Sequence, residues 1–139
     1  KIGHFLDDEV TDLYQECKNN GLSKREASPV IAEKLDIAKI LKRASRGWDG
    51  GYAMAGLLGH GDSFVFRDPA GIRPAYFYED EEIVVVASER PVIQTVLNVP
   101  FEKIAELLPG NALIIKKNGT VSQNEIIPLV ILEWHVERP

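Results

Sequence analysis

Residues 66–74 read FRDPAGIRP, which places one acid, two arginines, two prolines and a glycine between two apolar segments. A plain hairpin turn needs far fewer special residues. Asp68 is restricted to extended backbone because Pro69 follows it, and Pro69 fixes its own φ. Gly71 can take a positive φ, which allows the chain to turn before Ile72 returns to the core. The stretch therefore predicts a rigid corner between two strands.

The charged side chains of this corner are held in fixed directions. We expect an ion pair of Asp68 with either Arg67 or Arg73. Bidentate geometry in such a pair would fix the orientation of both side chains. Two interpretations remain open: a structural corner, or an arginine that contacts an anion or a partner. The residues alone favour the structural corner, because buried pairs often fix local geometry.

The composition is typical of one soluble globular domain, since 45% of the 139 residues are hydrophobic and 27% are charged. The net charge of −5 argues against a surface for nucleic acid or anionic membranes. The single cysteine, Cys17, cannot form an internal disulfide, which fits a reducing cytosol and predicts a cytoplasmic protein. The chain opens at Lys1 without an initiator methionine, as a fragment or a processed product would.

The first 47 residues are predicted to be helical. The apolar stripe of the first helix is expected to hold Leu6, Val10, Leu13, Tyr14 and Cys17. Ser23 and Glu26 have the spacing of a capping box, whereas Pro29 suits a first helical position, so we expect a short turn followed by a separate second helix. Asp36 is expected to cap a third helix with a basic last turn.

Residues 51–127 are predicted to form a strand meander interrupted by one helix. Tight connections are expected at residues 59–61 and 79–82, and the Asn118-Gly119 pair predicts a type I′ turn in a third hairpin. This order of helices and antiparallel strands predicts an α+β layered domain.

Three further expectations concern the second half of the chain. The strand at residues 83–87 is expected to be buried on both faces. The helix that begins near Pro91 is expected to direct Val92 and Val96 toward the core. Residues 128–139 are expected to form an extra strand or a tail.

No metal site is expected. The side chains of the acids at residues 7–9 and of Asp12 point in different directions around a helix, so they do not converge on one metal ion. They are interpreted as a solvated first turn. His4, His60 and His135 are far apart and lack the spacing of zinc ligands.

Three pieces of the sequence together resemble class II glutamine amidotransferases. They read GGYAMAGLLGHG at residues 50–61, RDPAGIRP at residues 67–74, and VVASE at residues 85–89, followed by a helix and PGNALII at residues 109–115. The resemblance covers residues 36–120 and implies part of the layered N-terminal-nucleophile hydrolase fold. Order and spacing are most similar to the amidophosphoribosyltransferase family. Asparagine synthetases share a similar corner and a similar ASE strand, and are the alternative.

This resemblance implies an enzyme that hydrolyses glutamine and passes ammonia to a second domain, where it displaces pyrophosphate from phosphoribosyl pyrophosphate in purine biosynthesis. It implies structural or interdomain roles for Arg67, Asp68, Gly71, Arg73, Ser88 and Glu89. It implies no cofactor for this chain, and Mg²⁺ with phosphoribosyl pyrophosphate for the parent enzyme. Glutamine and phosphoribosyl pyrophosphate are the implied partners of the parent. Exposed strand edges predict a homo-oligomer.

No residue of this chain is assigned a catalytic role. The family uses an N-terminal cysteine as nucleophile, whereas residue 1 is lysine and Cys17 lies on an apolar stripe that suppresses the thiolate. We therefore expect the C-terminal part of a glutaminase domain, beginning past the glutamine-binding aspartate and inactive by itself. A non-catalytic glutaminase-like module for assembly or regulation is the other interpretation.

Overall fold

The computed structural model describes residues 1–128, which form four helices, a short 3₁₀ turn and seven strands. The helices are α1 (Ile2–Asn19), α2 (Lys24–Lys34), α3 (Ile37–Ala44) and α4 (Arg90–Leu97). The strands are β1 (Ala53–Leu57), β2 (Ser63–Arg67), β3 (Tyr76–Glu79), β4 (Val84–Ala87), β5 (Ala105–Glu106), β6 (Asn111–Ile115) and β7 (Val121–Glu125). The strand or tail predicted beyond Pro128 lies outside the described residues. None of the described helices is long and apolar enough to cross a membrane.

The strands form two antiparallel sheets that face each other. The first sheet has the order β1-β2-β6-β7 and the second has the order β4-β3-β5. Between them lies a core of four buried side chains, Val65, Ala75, Leu107 and Leu113. The predicted α+β arrangement is thus present, with two stacked sheets at its centre.

Helices cover both outer faces of this pair of sheets. On the first sheet, Ile37 and Leu41 of α3 pack with Phe64 and Phe66 of β2. On the second sheet, α4 contacts β3 and β4, and the Arg90 guanidinium lies 4.9 Å from the centre of the Tyr76 ring. The four layers are therefore α1–α3, the first sheet, the second sheet and α4.

The first helix is confirmed, and Cys17 is buried on it as expected. The expectation that all its acids are solvated is wrong for Glu9, which is only 7% exposed. Its carboxylate lies 2.9 Å from the Lys39 ammonium, and Asp8 lies 3.6 Å from the Arg43 guanidinium. The acids of α1 face the basic side of α3, and this neighbour could not be read from α1 alone.

The separate helix predicted to begin at Pro29 is wrong, because α2 runs through that position. Ser23 accepts a hydrogen bond from the amide of Glu26, and the Glu26 carboxylate accepts one from the amide of Ser23. This capping box starts the helix one turn earlier, and Pro29 removes only one hydrogen bond on an exposed face. The predicted cap of α3 is confirmed, since Asp36 accepts from the amide of Lys39 at 3.1 Å.

All three predicted hairpins are present, but the third has a different turn. Gly119 has a φ of 90°, whereas Asn118 does not take the positive φ that a type I′ turn requires. The amide of Gly119 donates to the carbonyl of Lys116, and the amide of Lys116 donates to the carbonyl of Thr120. This pattern is a turn closed by a left-handed glycine, which forms a bulge at the strand end.

Two expectations about burial are wrong, one for strand β4 of the second sheet and one for helix α4, which packs on that sheet. Strand β4 lies at the edge of a three-stranded sheet, so its residues are half-buried and Ile83 is 42% exposed. On α4, Ile93 is buried, whereas Val92 and Val96 are 48% and 75% exposed. Apolar residues on two sides of this short helix offer two possible stripes, and the core contacts the side that carries Ile93.

Candidate functional site

The predicted corner is present between β2 and β3. Gly71 has a φ of 66°, and its amide donates to the carbonyl of Asp68 at 3.2 Å, which closes the turn. A Cβ atom on Gly71 would lie 2.9 Å from Cγ of Pro109, so a side chain there would meet the neighbouring loop. Glycine is therefore required by both backbone conformation and packing.

Asp68 is fully buried and holds three backbone segments together. Its carboxylate accepts hydrogen bonds from the amides of Ile72 and Arg73 within the corner, at 3.0 and 3.2 Å, and from Tyr52 before β1 at 3.2 Å. Its own carbonyl accepts from the amide of Gly110 at 3.0 Å. Burial by itself raises the pKa of Asp68, but the three amides and the charge of Arg67 lower the pKa below its ordinary value.

Arg67 is buried beside Asp68 and points to other partners. Its guanidinium donates to the carbonyl oxygens of Arg73, Leu107 and Gly71 at 2.7, 2.6 and 3.1 Å. It also donates to the Glu106 carboxylate at 2.9 Å. The five N–H donors of a guanidinium suit such a cluster of acceptors.

The predicted ion pair of Asp68 with Arg67 or Arg73 is wrong. Consecutive side chains along an extended chain point to opposite sides, which separates Arg67 from Asp68. Amides satisfy Asp68, and Glu106 pairs with Arg67 instead. Glu106 was not predicted from the sequence, where its only signal is an acid shortly before the PGNALII piece.

The remaining motif residues lie around a surface cavity of ≈ 490 Å³. Arg73, Ser88 and Glu89 line it together with Pro74 and the segment 51–53. All three side chains are exposed, and Arg73 forms no ion pair with any residue from 1 to 128. Opposite charges at one opening suit a polar ligand or another polypeptide segment.

The six motif residues therefore form two groups. Arg67, Asp68 and Gly71 are the frame of the corner, and their polar groups are satisfied internally. The cavity rim consists of Arg73, Ser88 and Glu89. Within the described part of the chain, no group of three or more His, Cys, Asp or Glu side chains is placed to hold a metal ion.

Similar proteins were found among curated sequences. The chain is 37% identical over 102 residues to the amidophosphoribosyltransferase of Saccharomyces cerevisiae, and 36% identical over 100 residues to that of Lachancea kluyveri. Each alignment covers 68% of this chain and 19% of the relative. The chain thus spans about a fifth of the length of these relatives. No protein-family model matches it.

Similar folds were found among solved structures. The glutamine phosphoribosylpyrophosphate amidotransferase from B. subtilis, complexed with ADP and GMP, matches with a TM-score of 0.55 at 23% identity. A structure described as the allosteric regulatory enzyme of purine biosynthesis matches with a TM-score of 0.52 at 23% identity. Both matches cover 86% of this chain, with 27% and 26% of the neighbours.

These likenesses confirm the expected layered fold of the N-terminal-nucleophile hydrolases. The asparagine synthetase alternative is not favoured, because both curated relatives are amidophosphoribosyltransferases. The B. subtilis structure is likewise a glutamine phosphoribosylpyrophosphate amidotransferase. The chain is therefore a relative of the amidophosphoribosyltransferases over about two thirds of its own length.

Proposed function

We propose that this chain is the C-terminal part of the glutaminase domain of an amidophosphoribosyltransferase-like enzyme. The parent protein hydrolyses glutamine and transfers the ammonia to phosphoribosyl pyrophosphate, which yields phosphoribosylamine and pyrophosphate in the cytoplasm. The observation that carries this proposal is the 37% identity over 102 residues to the amidophosphoribosyltransferase of Saccharomyces cerevisiae.

The frame residues have a structural role in this proposal. Arg67 and Asp68 are buried, and each joins segments that are distant in sequence. Such a frame fixes the direction of the chain on either side of the corner, so it sets where the cavity rim lies. The frame therefore positions the rim and takes no part in bond making.

The rim residues have an interdomain role. Arg73 is held through its backbone, since its amide donates to Asp68 and its carbonyl accepts from Arg67, while its side chain stays exposed. A charged side chain on a rigid backbone is suited to recognition. We propose that Arg73, Ser88 and Glu89 contact the part of the parent protein that uses the ammonia.

The reactive thiol of the parent lies outside this chain in our proposal. Cys17 is 4% exposed on α1, so a glutamine side chain cannot reach its sulfur. The chemistry also requires a free α-amine beside the nucleophile to act as base, which a cysteine in the middle of a helix does not have. The described residues supply a scaffold for the site.

The test compares the 139-residue chain with the full-length protein that contains it. Glutamate release from glutamine is measured with and without phosphoribosyl pyrophosphate and Mg²⁺. We expect no release by the chain, and release coupled to pyrophosphate formation by the full-length protein. Glutamate release by the chain alone contradicts the scaffold role. A full-length protein that is inactive, or that needs aspartate and ATP, contradicts the proposed reaction.

A further inference from the structure

The chain contains two Asn-Gly pairs, Asn20-Gly21 between α1 and α2 and Asn118-Gly119 at the tip of the β6–β7 hairpin. Asparagine before glycine is prone to deamidation, because glycine has no side chain to hinder attack by its own backbone nitrogen. We propose that Asn20 is a site of spontaneous deamidation, whereas contacts to Asp62 protect the identical pair at Asn118. The proposal does not depend on the proposed function.

The reaction at an Asn-Gly pair needs only water. The backbone nitrogen of the glycine loses its proton and forms a bond to Cγ of the asparagine, and the side-chain nitrogen takes up a proton and leaves as ammonia. Water then adds to one of the two carbonyl carbons of the resulting five-membered imide and breaks its bond to the ring nitrogen, which regains a proton. The product is aspartate, or isoaspartate, in which the main chain runs through the former side chain.

The two pairs share one backbone conformation. Gly21 and Gly119 have φ values of 81° and 90°, in the left-handed region that glycine favours. The Gly21 amide donates to the carbonyl of Lys18 at 3.0 Å, and the Gly119 amide donates to that of Lys116 at 2.9 Å. Each attacking nitrogen is thus hydrogen-bonded in the same way. A difference in reactivity must come from the asparagine side chain and from how easily each turn opens.

Asn118 is held through its side chain and through its neighbours. Its Oδ1 accepts a hydrogen bond from the amide of Thr120 at 3.0 Å, which restrains the rotation that attack on Cγ requires. The hairpin closes beneath it, because the amide of Lys116 donates to the carbonyl of Thr120 at 2.9 Å. The Lys117 amide donates to Oδ1 of Asp62 at 2.8 Å, and Asp62 is 1% exposed. The turn is therefore anchored to a buried carboxylate.

The same carboxylate connects this turn to two other elements. The Lys116 ammonium donates to Oδ2 of Asp62 and to the carbonyl oxygens of Ala32 and Leu35, at 3.3 and 3.2 Å, where α2 ends. Nε2 of His60, in the β1–β2 connection, lies 2.8 Å from the same Oδ2. Opening the turn at Asn118 therefore disturbs contacts to a helix and to a second hairpin, which makes opening rare.

Asn20 lacks such restraints. Among the described residues, none forms a hydrogen bond with its side chain, and both Asn20 and Gly21 are exposed. The backbone bond of Gly21 is located at the end of α1, where helices fray and local opening costs little free energy. The side chain of Asn20 is thus free to rotate, and the attacking nitrogen of Gly21 is released more often than that of Gly119.

Deamidation at Asn20 changes the joint between the two helices. The Gly21 and Leu22 amides donate to the carbonyl oxygens of Lys18 and Cys17, which is the Schellman motif that ends α1. A carboxylate at position 20 places a negative charge at the negative end of the helix dipole. Isoaspartate also adds a carbon atom to the main chain within the motif. Both products weaken the end of α1, so the reaction is a one-way change in the helical layer.

The test follows both pairs in one sample. The full-length protein that contains this chain is incubated near neutral pH at physiological temperature, and is then digested with trypsin under mildly acidic conditions that stop further reaction. Cleavage after Lys18 and after Lys117 places the pairs in separate peptides for mass spectrometry. We expect Asn20 to deamidate at least about fivefold faster than Asn118, the factor that one additional hydrogen bond supplies.

The same protein unfolded in urea is the first control, and there the two pairs should react at similar rates. Asp62→Asn should accelerate deamidation at Asn118 and leave the rate at Asn20 unchanged. The matched variant is Asp80→Asn, since Asp80 accepts backbone hydrogen bonds at the tip of the β3–β4 hairpin and should affect neither pair. Circular dichroism checks that both variants are folded.

Several outcomes overturn the proposal. Equal rates at the two pairs in the folded wild-type protein, or a faster reaction at Asn118, contradict the assigned protection without the use of any variant. An Asn20 that stays intact in the folded protein after the urea sample has reacted contradicts the assigned site. A folded Asp62→Asn variant with an unchanged rate at Asn118 contradicts the role of Asp62.

Discussion

Arg67 of β2 and Glu106 of β5 form an ion pair of 2.9 Å that connects the two sheets. The Arg67 side chain is 6% exposed, whereas that of Glu106 is 46% exposed. The pair is therefore buried at its arginine end and open to solvent at its acidic end. This asymmetry predicts that the two residues contribute unequally to stability.

Replacing Arg67 should destabilise the chain strongly. Arg67→Met leaves the carbonyl oxygens of Arg73, Leu107 and Gly71 without their donor, and we expect a loss of about 3–5 kcal/mol in the free energy of unfolding. Urea denaturation followed by fluorescence measures it. The control is Glu106→Gln, which should cost about 0.5–1 kcal/mol because the carboxylate is solvated. Equal losses in the two variants would contradict the asymmetry.

Replacing Asp68 should change how stability depends on pH. The folded-state pKa of Asp68 is lower than that of the unfolded chain, so its contribution is present above the ordinary aspartate pKa of about 3.9 and is lost as pH falls through the folded value. Asp68→Asn should lower stability at pH 7 by about 2–3 kcal/mol, because an amide presents a donor to one backbone N–H. Below about pH 4 the difference in the free energy of unfolding between the wild-type chain and the Asp68→Asn variant should become smaller.

The measurement for Asp68 is the free energy of unfolding of both proteins between pH 7 and pH 3. A second buried acid, Asp62, also has a lowered pKa: burial raises it, but hydrogen bonds from Lys116, His60 and the Lys117 amide outweigh this effect. The Asp68→Asn variant should therefore keep some acid sensitivity. Parallel curves for the variant and the wild type would show that Asp68 does not titrate differently on folding.

Replacing Gly71 tests the tight approach at the corner. Gly71→Ala forces a side chain into a positive φ and places its Cβ 2.9 Å from Pro109, so we expect a loss of about 1–3 kcal/mol. The control is Gly59→Ala, since a Cβ atom on Gly59 would meet no atom within 4 Å and the φ of Gly59 is not positive. Thermal unfolding of both variants measures the difference. A Gly71→Ala variant as stable as Gly59→Ala would refute the close packing.

Much of the corner could be predicted because its determinants are local. Pro69 restricts its own backbone, Gly71 permits the positive φ that the turn needs, and the cap at Asp36 depends on a residue three positions away. The partner of Arg67 could not be predicted, since Glu106 is 39 residues distant and no periodicity relates them. The buried side of α4 was misassigned for a similar reason, because the choice of Ile93 depends on the second sheet.

Of the three rim residues, Ser88 and Glu89 were identified only through the resemblance, whereas Arg73 was also singled out by the local chemistry of the corner. Arg73, Ser88 and Glu89 lie on separate segments, and their meeting at one cavity follows from the pairing of β3 with β4.

In the full-length protein, Arg73→Ala should reduce glutamine-dependent pyrophosphate release more than ammonia-dependent release, by about threefold or more, if the rim contacts the ammonia-using part. Equal reduction of both rates would assign Arg73 a purely structural role.

The transfer of nitrogen tests the central claim most directly. The full-length protein is incubated with glutamine labelled with ¹⁵N in its side-chain amide, phosphoribosyl pyrophosphate and Mg²⁺, and the amine product is trapped for mass spectrometry. We predict ¹⁵N in phosphoribosylamine, in proportion to the glutamate and pyrophosphate released. Label that stays in glutamine, or that enters a product other than the phosphoribosyl amine, would contradict the account.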